Sequence, residues 1–137
     1  MNAEERRHYL DNLDTGKGWQ EIIENLDREL AKIDPNYTID QIKEKFGGLR
    51  YYYTPSFIRY HTTAPFLQGC KHHPFVEWLL RHSCKARSNR MYELRSVAER
   101  ASYFTCEDCG STEGVLNKSP KNQYWVKSLC ASCWEKK

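Results

Sequence analysis

Thr105-Cys106-Glu107-Asp108-Cys109-Gly110, followed by Cys130-Ala131-Ser132-Cys133, decides how this 137-residue chain is read. Two Cys-x-x-Cys pairs with twenty residues between them match the spacing of a structural zinc site. A two-residue spacer lets a tight knuckle aim both sulfurs at one point, and a second knuckle completes a tetrahedron of soft thiolates. Gly110 stands where the chain must turn away after the second sulfur, and backbone amides near each knuckle can donate to the thiolates. The alternatives are buried thiols or two disulfides. Spacing and a reducing setting favour one Zn2+ per chain, held by Cys106, Cys109, Cys130 and Cys133. With all four sulfurs on the ion no coordination position stays open, so the metal is expected to staple the fold and not to activate water. Binding as four thiolates takes the formal charge from +3 to +1.

Between the pairs, residues 114–117 and 124–129 read as two short strands joined by a polar segment containing Pro120. Knuckle, hairpin, knuckle is the order of zinc ribbons and of treble-clef modules. Which applies depends on whether Cys133-Trp134-Glu135-Lys136-Lys137 begins a helix.

Upstream, Trp19, Ile22, Ile23, Leu26, Leu30 and Ile33 recur at intervals of three and four, which predicts a helix over 18–33 ending at Asp34-Pro35. In Tyr37 to Tyr53, β-branched and aromatic residues flank Gly47-Gly48, which predicts an antiparallel hairpin turning on the glycine pair. Its first arm is ambiguous, because Ile39, Ile42 and Phe46 also suit a short helix. Pro74 to His82 reads as a short helix with proline in its first turn. A further helix is expected over 89–103, with Met91, Leu94, Ala98 and Ala101 on one face. The expected fold class is α+β: an N-terminal helix packed on a small antiparallel sheet, further helices, and a C-terminal zinc-ribbon or treble-clef module. The organisation is 1–53 for the helix and hairpin, 54–88 as an insertion, and 89–137 for the helix and metal module, all compatible with one domain.

Hydrophobic residues make up 39% and charged residues 28%, with four Trp, nine Tyr and five Phe. That supply argues against disorder and for an aromatic-weighted core. No window approaches the roughly 18 consecutive apolar residues of a membrane span. The charged Met1 to Arg7 has no apolar run behind it, so no secretory signal is read. A soluble, cytoplasmic protein is expected. The net charge of +3 hides an asymmetry: residues 1–40 carry −5, residues 41–100 carry +7 and residues 101–137 carry +1. Complementary faces within one fold account for this, and so does an anionic partner on the middle segment.

Two further constellations bear on function. Cys70, His72, His73, His82 and Cys84 are types that bind metal, at a spacing that fits no known site, so a second metal is a secondary reading. Lys43, Lys45, Arg50, Tyr51, Tyr53 and Arg59 interleave cations with aromatics, as nucleic-acid and nucleotide binders do, or form a sheet with one tyrosine row buried. Catalytic motifs are missing. HNH endonucleases also carry two Cys-x-x-Cys pairs around their active hairpin, yet no histidine follows His82 here, so no enzyme and no catalytic residue is expected. Glu44 and Glu99 read as ion-pair partners of neighbouring Arg and Lys.

Gly18-Trp19, then Lys43-Glu44-Lys45-Phe46-Gly47-Gly48-Leu49-Arg50-Tyr51, Ala98-Glu99-Arg100-Ala101-Ser102 and Trp125-Val126-Lys127-Ser128-Leu129-Cys130 together resemble a family of small, largely uncharacterised proteins of bacteriophages, prophages and bacteria. The similarity covers most of the chain outside residues 54–88. It implies a phage accessory protein in a bacterial cytoplasm that binds a host or phage protein, for instance to blunt a defence system. The alternative function is binding of nucleic acid or a nucleotide through residues 43–61.

Overall fold

A computed structural model describes residues 1–57, 74–120 and 124–137. Helix α1 (Ala3–Asp11) starts on a capping box: the Asn2 side chain accepts from Glu5 N, and the Glu5 carboxylate accepts from Asn2 N, both at 2.8 Å. Two of the orphan donors at the helix start are thereby satisfied. A 3-10 turn at Lys17–Trp19 leads into helix α2 (Gln20–Ile33). Its apolar stripe is the expected one: Trp19, Ile23, Leu26 and Leu30 are buried, and Ile22 and Ile33 are partly so. The helix stops where Asp34 leaves helical geometry ahead of Pro35. The buried Asp34 carboxylate then ties down the chain after the sheet, accepting from Ser56 N and Ser56 Oγ at 2.6 Å.

Strands β1 (Thr38–Lys45) and β2 (Gly48–Thr54) pair antiparallel with Ile42 opposite Tyr51 and Lys45 opposite Gly48, so the helical alternative for the first arm is discarded. The turn also sits one residue earlier than the glycine pair suggests. Its central residues are Phe46 (φ 54°) and Gly47 (φ 74°), both left-handed, as a two-residue hairpin turn demands. Gly48 is already in the strand. It is required for a different reason: a Cβ there would lie 2.3 Å from the Tyr103 ring.

Helix α3 (Pro74–Ser102) is one element of 29 residues where two shorter helices were expected, and it runs through residue 88 without a break. Met91 is fully buried, with Leu94 and Ala98 packed beside it, as the periodicity requires. Ala101 is exposed, and Ser102 takes the inward position. These helices and the hairpin share one core that joins Leu10, the α2 stripe, Tyr37, Ile39, Ile42, Leu49, Tyr51 and Met91.

That core encloses a polar chain. The nearly buried Arg6 bonds Asp27 at 2.9 Å and the Pro35 carbonyl at 2.7 Å, and lies over the Tyr37 ring. Tyr37 Oη donates to Asp27 and lies 2.7 Å from Tyr51 Oη. Burial holds both phenols far above the ordinary tyrosine value, so they stay neutral partners.

The C-terminal part is a second hairpin, β3 (Val115–Lys118) with β4 (Lys127–Cys130), followed by a one-turn helix α4 (Ala131–Trp134). Gly114 and residues 124–126 lie outside the strands. Its own apolar cluster is small: Leu129 and three of the cysteines, flanked by Val115 and Trp134. So little buried surface cannot hold an independent fold without a staple.

Candidate metal centre

The Sγ atoms of Cys106, Cys109, Cys130 and Cys133 all lie within 4.8 Å of one another. The Cys109 to Cys130 separation is 3.6 Å, far beyond the roughly 2.05 Å of a disulfide. Four sulfurs about 2.3 Å from one ion stand about 3.8 Å apart in a regular tetrahedron, so the Cys109–Cys130 pair already stands at shell distance and no other pair lies more than about 1 Å beyond it. The four cysteines can hold a single metal ion.

Local backbone chemistry makes the two knuckles. Gly110 N donates to the Cys106 carbonyl at 2.9 Å and Cys106 N to the Ser111 carbonyl at 2.8 Å, which folds the first Cys-x-x-Cys into a tight loop with Gly110 at φ 78°. In the second, β4 delivers Cys130 and the first turn of α4 delivers Cys133. Donors converge on the sulfurs. The Ser132 hydroxyl, 3.2 Å from Cys130, and the Cys133 backbone amide hold the Cys130 thiol down to about 6. Hydrogen bonding to Cys130, together with burial, pushes Cys133 up to about 12. The Ser111 amide favours the Cys109 thiolate, but its hydrogen bonds with Cys106 and Cys130 outweigh that and leave it above the usual value. The cluster thus carries anionic character at neutral pH, which a cation would extend to all four sulfurs.

The site is built into the rest of the protein. Gly18 N donates to the Glu107 carbonyl at 2.8 Å, and the buried Trp19 Nε1 donates to the Thr105 carbonyl at 2.9 Å. The approach is so close that a Cβ on Gly16 would lie 2.1 Å from the Glu107 carbonyl oxygen, and one on Gly18 2.0 Å from that of Cys106. On the other side, Glu107 N donates to the Ser128 carbonyl at 2.9 Å, and the Ser128 hydroxyl donates to the Gly47 carbonyl in the first hairpin's turn. The buried Glu107 carboxylate pairs with Lys127; burial pushes its carboxyl up against the pull of that ammonium. Leu49 N donates to Ser102 Oγ at 2.8 Å, and Arg50 reaches Tyr103 Oη at 2.8 Å. Glu44 and Glu99, expected as ion-pair partners, instead accept from backbone: Gly47 N at 2.7 Å and Tyr51 N at 2.9 Å. Glu99 has only a loose contact to Arg95, at 3.9 Å.

Nothing in the sequence marked Gly16, Ser102 or Ser128 as part of the centre. The signal was indirect: they lie in or beside residues 18–19, 98–102 and 125–130, segments that the sequence reading singled out.

The other candidate residues fare differently. Tyr51 is fully buried, so it is a core residue and offers no stacking face; Tyr53 is half-buried against Tyr37. Arg50 is occupied by Tyr103 and the Leu49 carbonyl. Lys43 and Lys45 do reach the surface, lying over the rings of Tyr52 and Phe46. Of the second metal set, His82 lies tilted against the Trp78 ring, 4.2 Å between centroids, and bonds the Trp78 carbonyl at 2.8 Å, while Cys84 packs half-buried against the core. Cys70, His72, His73 and Arg59 lie outside the described residues. Among the described residues the four-cysteine group is the one cluster able to hold a metal ion, and no helix is long and apolar enough to cross a membrane. No protein-family model, curated protein or solved structure matches this chain.

Proposed function

We propose that the chain is a non-catalytic, zinc-stapled binding protein, a phage accessory or host-modulating factor that acts on a protein of the bacterial host. The observation that carries this reading is the closed donor set: four sulfurs within 4.8 Å. A tetrahedral Zn2+ in such a shell has no position left for water or substrate. Zinc is the ion that suits four thiolates in a site with no redox task. Cys130 at the end of a strand and Cys133 in the first turn of a helix support a treble-clef layout over a ribbon. Reduced thiolates suit a cytoplasmic setting.

In the segments that carry the phage-family resemblance several residues are spent on internal contacts: Gly18 and Trp19 on the first knuckle, Glu44 and Gly47 on the turn, Glu99 and Ser102 on β2, Ser128 on Gly47. Residues consumed in this way support a scaffold whose specificity lies in the side chains those segments and their neighbours leave exposed. Phe46, Phe104 and Trp125, each at least half exposed, supply apolar contact area there.

The test is elemental analysis of chelator-free protein, together with affinity isolation of the tagged, metal-loaded chain from bacterial host cells. One zinc per chain and one stoichiometric protein partner are expected, the partner being lost in the F46A/F104A variant. A metal-free protein overturns the zinc reading, and recovery of no partner overturns the host-binding reading.

A further inference from the structure

On the outer side of the metal module lies a cavity of about 720 Å³ lined by Lys118, Pro120, Trp125, Lys127, Trp134 and Lys137, a size that suits a small ligand. Its wall contains an electrostatic conflict. Lys118 and Lys127 stand directly opposite each other in the β3–β4 ladder, and like charges in that position repel. Lys127 is relieved by Glu107 and Lys137 by Asp108 at 3.3 Å, but Lys118 lies over the Trp134 indole at 4.9 Å, and among the described residues no carboxylate pairs with it. Among the described residues Lys118 is thus the lysine of this wall left free to meet an anion from outside. Trp134 is fixed by a 3.2 Å hydrogen bond from Nε1 to the Leu116 carbonyl, whereas the Trp125 ring is half exposed.

A second feature adjoins this wall. The Phe46-Gly47 turn abuts the strand that carries Lys127: a Cβ on Gly47 would lie 3.1 Å from Val126 Cγ1 and 3.4 Å from the Lys127 carbonyl carbon. Phe46 is held at φ 54° with its ring 63% exposed and Lys45 over it. An aromatic residue in left-handed backbone with little packing in return is a local cost to stability, of the kind found where a side chain is kept for contact with something else.

We propose that the cavity binds a nucleoside phosphate, with the base stacked on Trp125 and the phosphate on Lys118, and that Phe46 continues the stacking surface when the nucleotide belongs to a single strand. Planar rings interleaved with ammonium groups are the chemistry that holds a base and its phosphate together. The cavity itself lies outside the 43–61 segment, whose Tyr51 faces the core and of which only the Phe46 turn comes near, and it does not depend on a protein partner.

The test uses the zinc-loaded full chain at low salt, titrated calorimetrically with adenosine monophosphate and by anisotropy with a short labelled oligothymidylate; oligo-aspartate is the acidic control. Lys118→Glu and Trp125→Ala should each weaken binding by about tenfold or more, with zinc content and circular dichroism unchanged. If the free nucleotide is the ligand, Phe46→Ala leaves the affinities intact; if a strand is, the oligonucleotide binds more tightly than the mononucleotide and Phe46→Ala weakens it alone. Either result supports the site. Three results would overturn it: no binding of either probe, binding indifferent to Lys118→Glu and Trp125→Ala, or oligo-aspartate bound as tightly as the nucleotides, which would assign the wall to an acidic peptide.

Discussion

Two glycines a few ångströms from tertiary neighbours differ in what a side chain would meet. At Gly18 a Cβ would collide with the Cys106 carbonyl oxygen and, at 2.5 Å, with Gly110 N, both backbone atoms of the knuckle that cannot yield without moving a sulfur. At Gly48 it meets the end of the Tyr103 ring, which can swing aside at the expense of the hydrogen bond from Arg50. Gly18→Ala should therefore cost about 3 kcal/mol and loosen metal retention, whereas Gly48→Ala should cost about 1 kcal/mol and leave the metal in place. Urea denaturation with parallel zinc measurement separates the two, and equal losses would contradict the assignment. Phe46 runs the other way. Asparagine tolerates left-handed backbone far better than phenylalanine, so Phe46→Asn should raise stability by about 1 kcal/mol in the same assay. A Gly-Gly pair legibly announced a hairpin, but not its register: the partner that forces Gly48 to lack a side chain, Tyr103, is 55 positions away and only the fold brings it there.

At the scale of elements, the link between β2 and the end of α3 is two backbone amides satisfied by side chains. Leu49 N and Tyr51 N donate to Ser102 and Glu99, one helical turn apart. Ser102 is fully buried and also donates to the Glu99 carbonyl at 2.6 Å. Ser102→Ala leaves the Leu49 amide buried without an acceptor, and a loss of about 2 kcal/mol is expected, with amide exchange at Leu49 accelerated well beyond its strand neighbours. Unchanged exchange there would show that the hydroxyl carries no weight. The α2 stripe was readable because six apolar side chains fall on one period of 3.6 residues. The continuity of α3 was not, since Ser83 to Arg90 offers no apolar periodicity; the segment also has no glycine or proline to stop a helix, and that is why it continues. Charge hid α1 in the same way. Its readable mark was Asn2 with Glu5 three residues on, a capping-box spacing that hydropathy does not register.

For the whole molecule, the metal centre is wired to both ends of the core, through Gly18 and Trp19 on one side and Gly47 and Ser128 on the other. Removing the ion with a strong chelator should therefore do more than unravel the last thirty residues: the Trp19 environment and the first hairpin should change in the same transition, seen as concerted shifts in tryptophan emission and in amide exchange across β1 and β2. A core left untouched by chelation would refute the coupling. Protons compete with the ion for the sulfurs. Because Cys130 gives its proton up at about 6 while Cys133 and Cys109 hold theirs more tightly than an ordinary thiol, metal binding at neutral pH should release protons from sulfurs other than Cys130, Cys133 and Cys109 among them, and acidification should expel the ion. The cysteine spacing made the site legible in one dimension; its attachment to the core was not, because carbonyl oxygens and glycines carry no sequence label for the partner they meet. All of this stands on four sulfurs sharing one ion. X-ray absorption at the zinc edge of the protein as purified measures that directly: the expected result is four sulfur scatterers at about 2.3 Å and nothing lighter in the shell, and a shell containing nitrogen or oxygen, or no zinc signal, would contradict it.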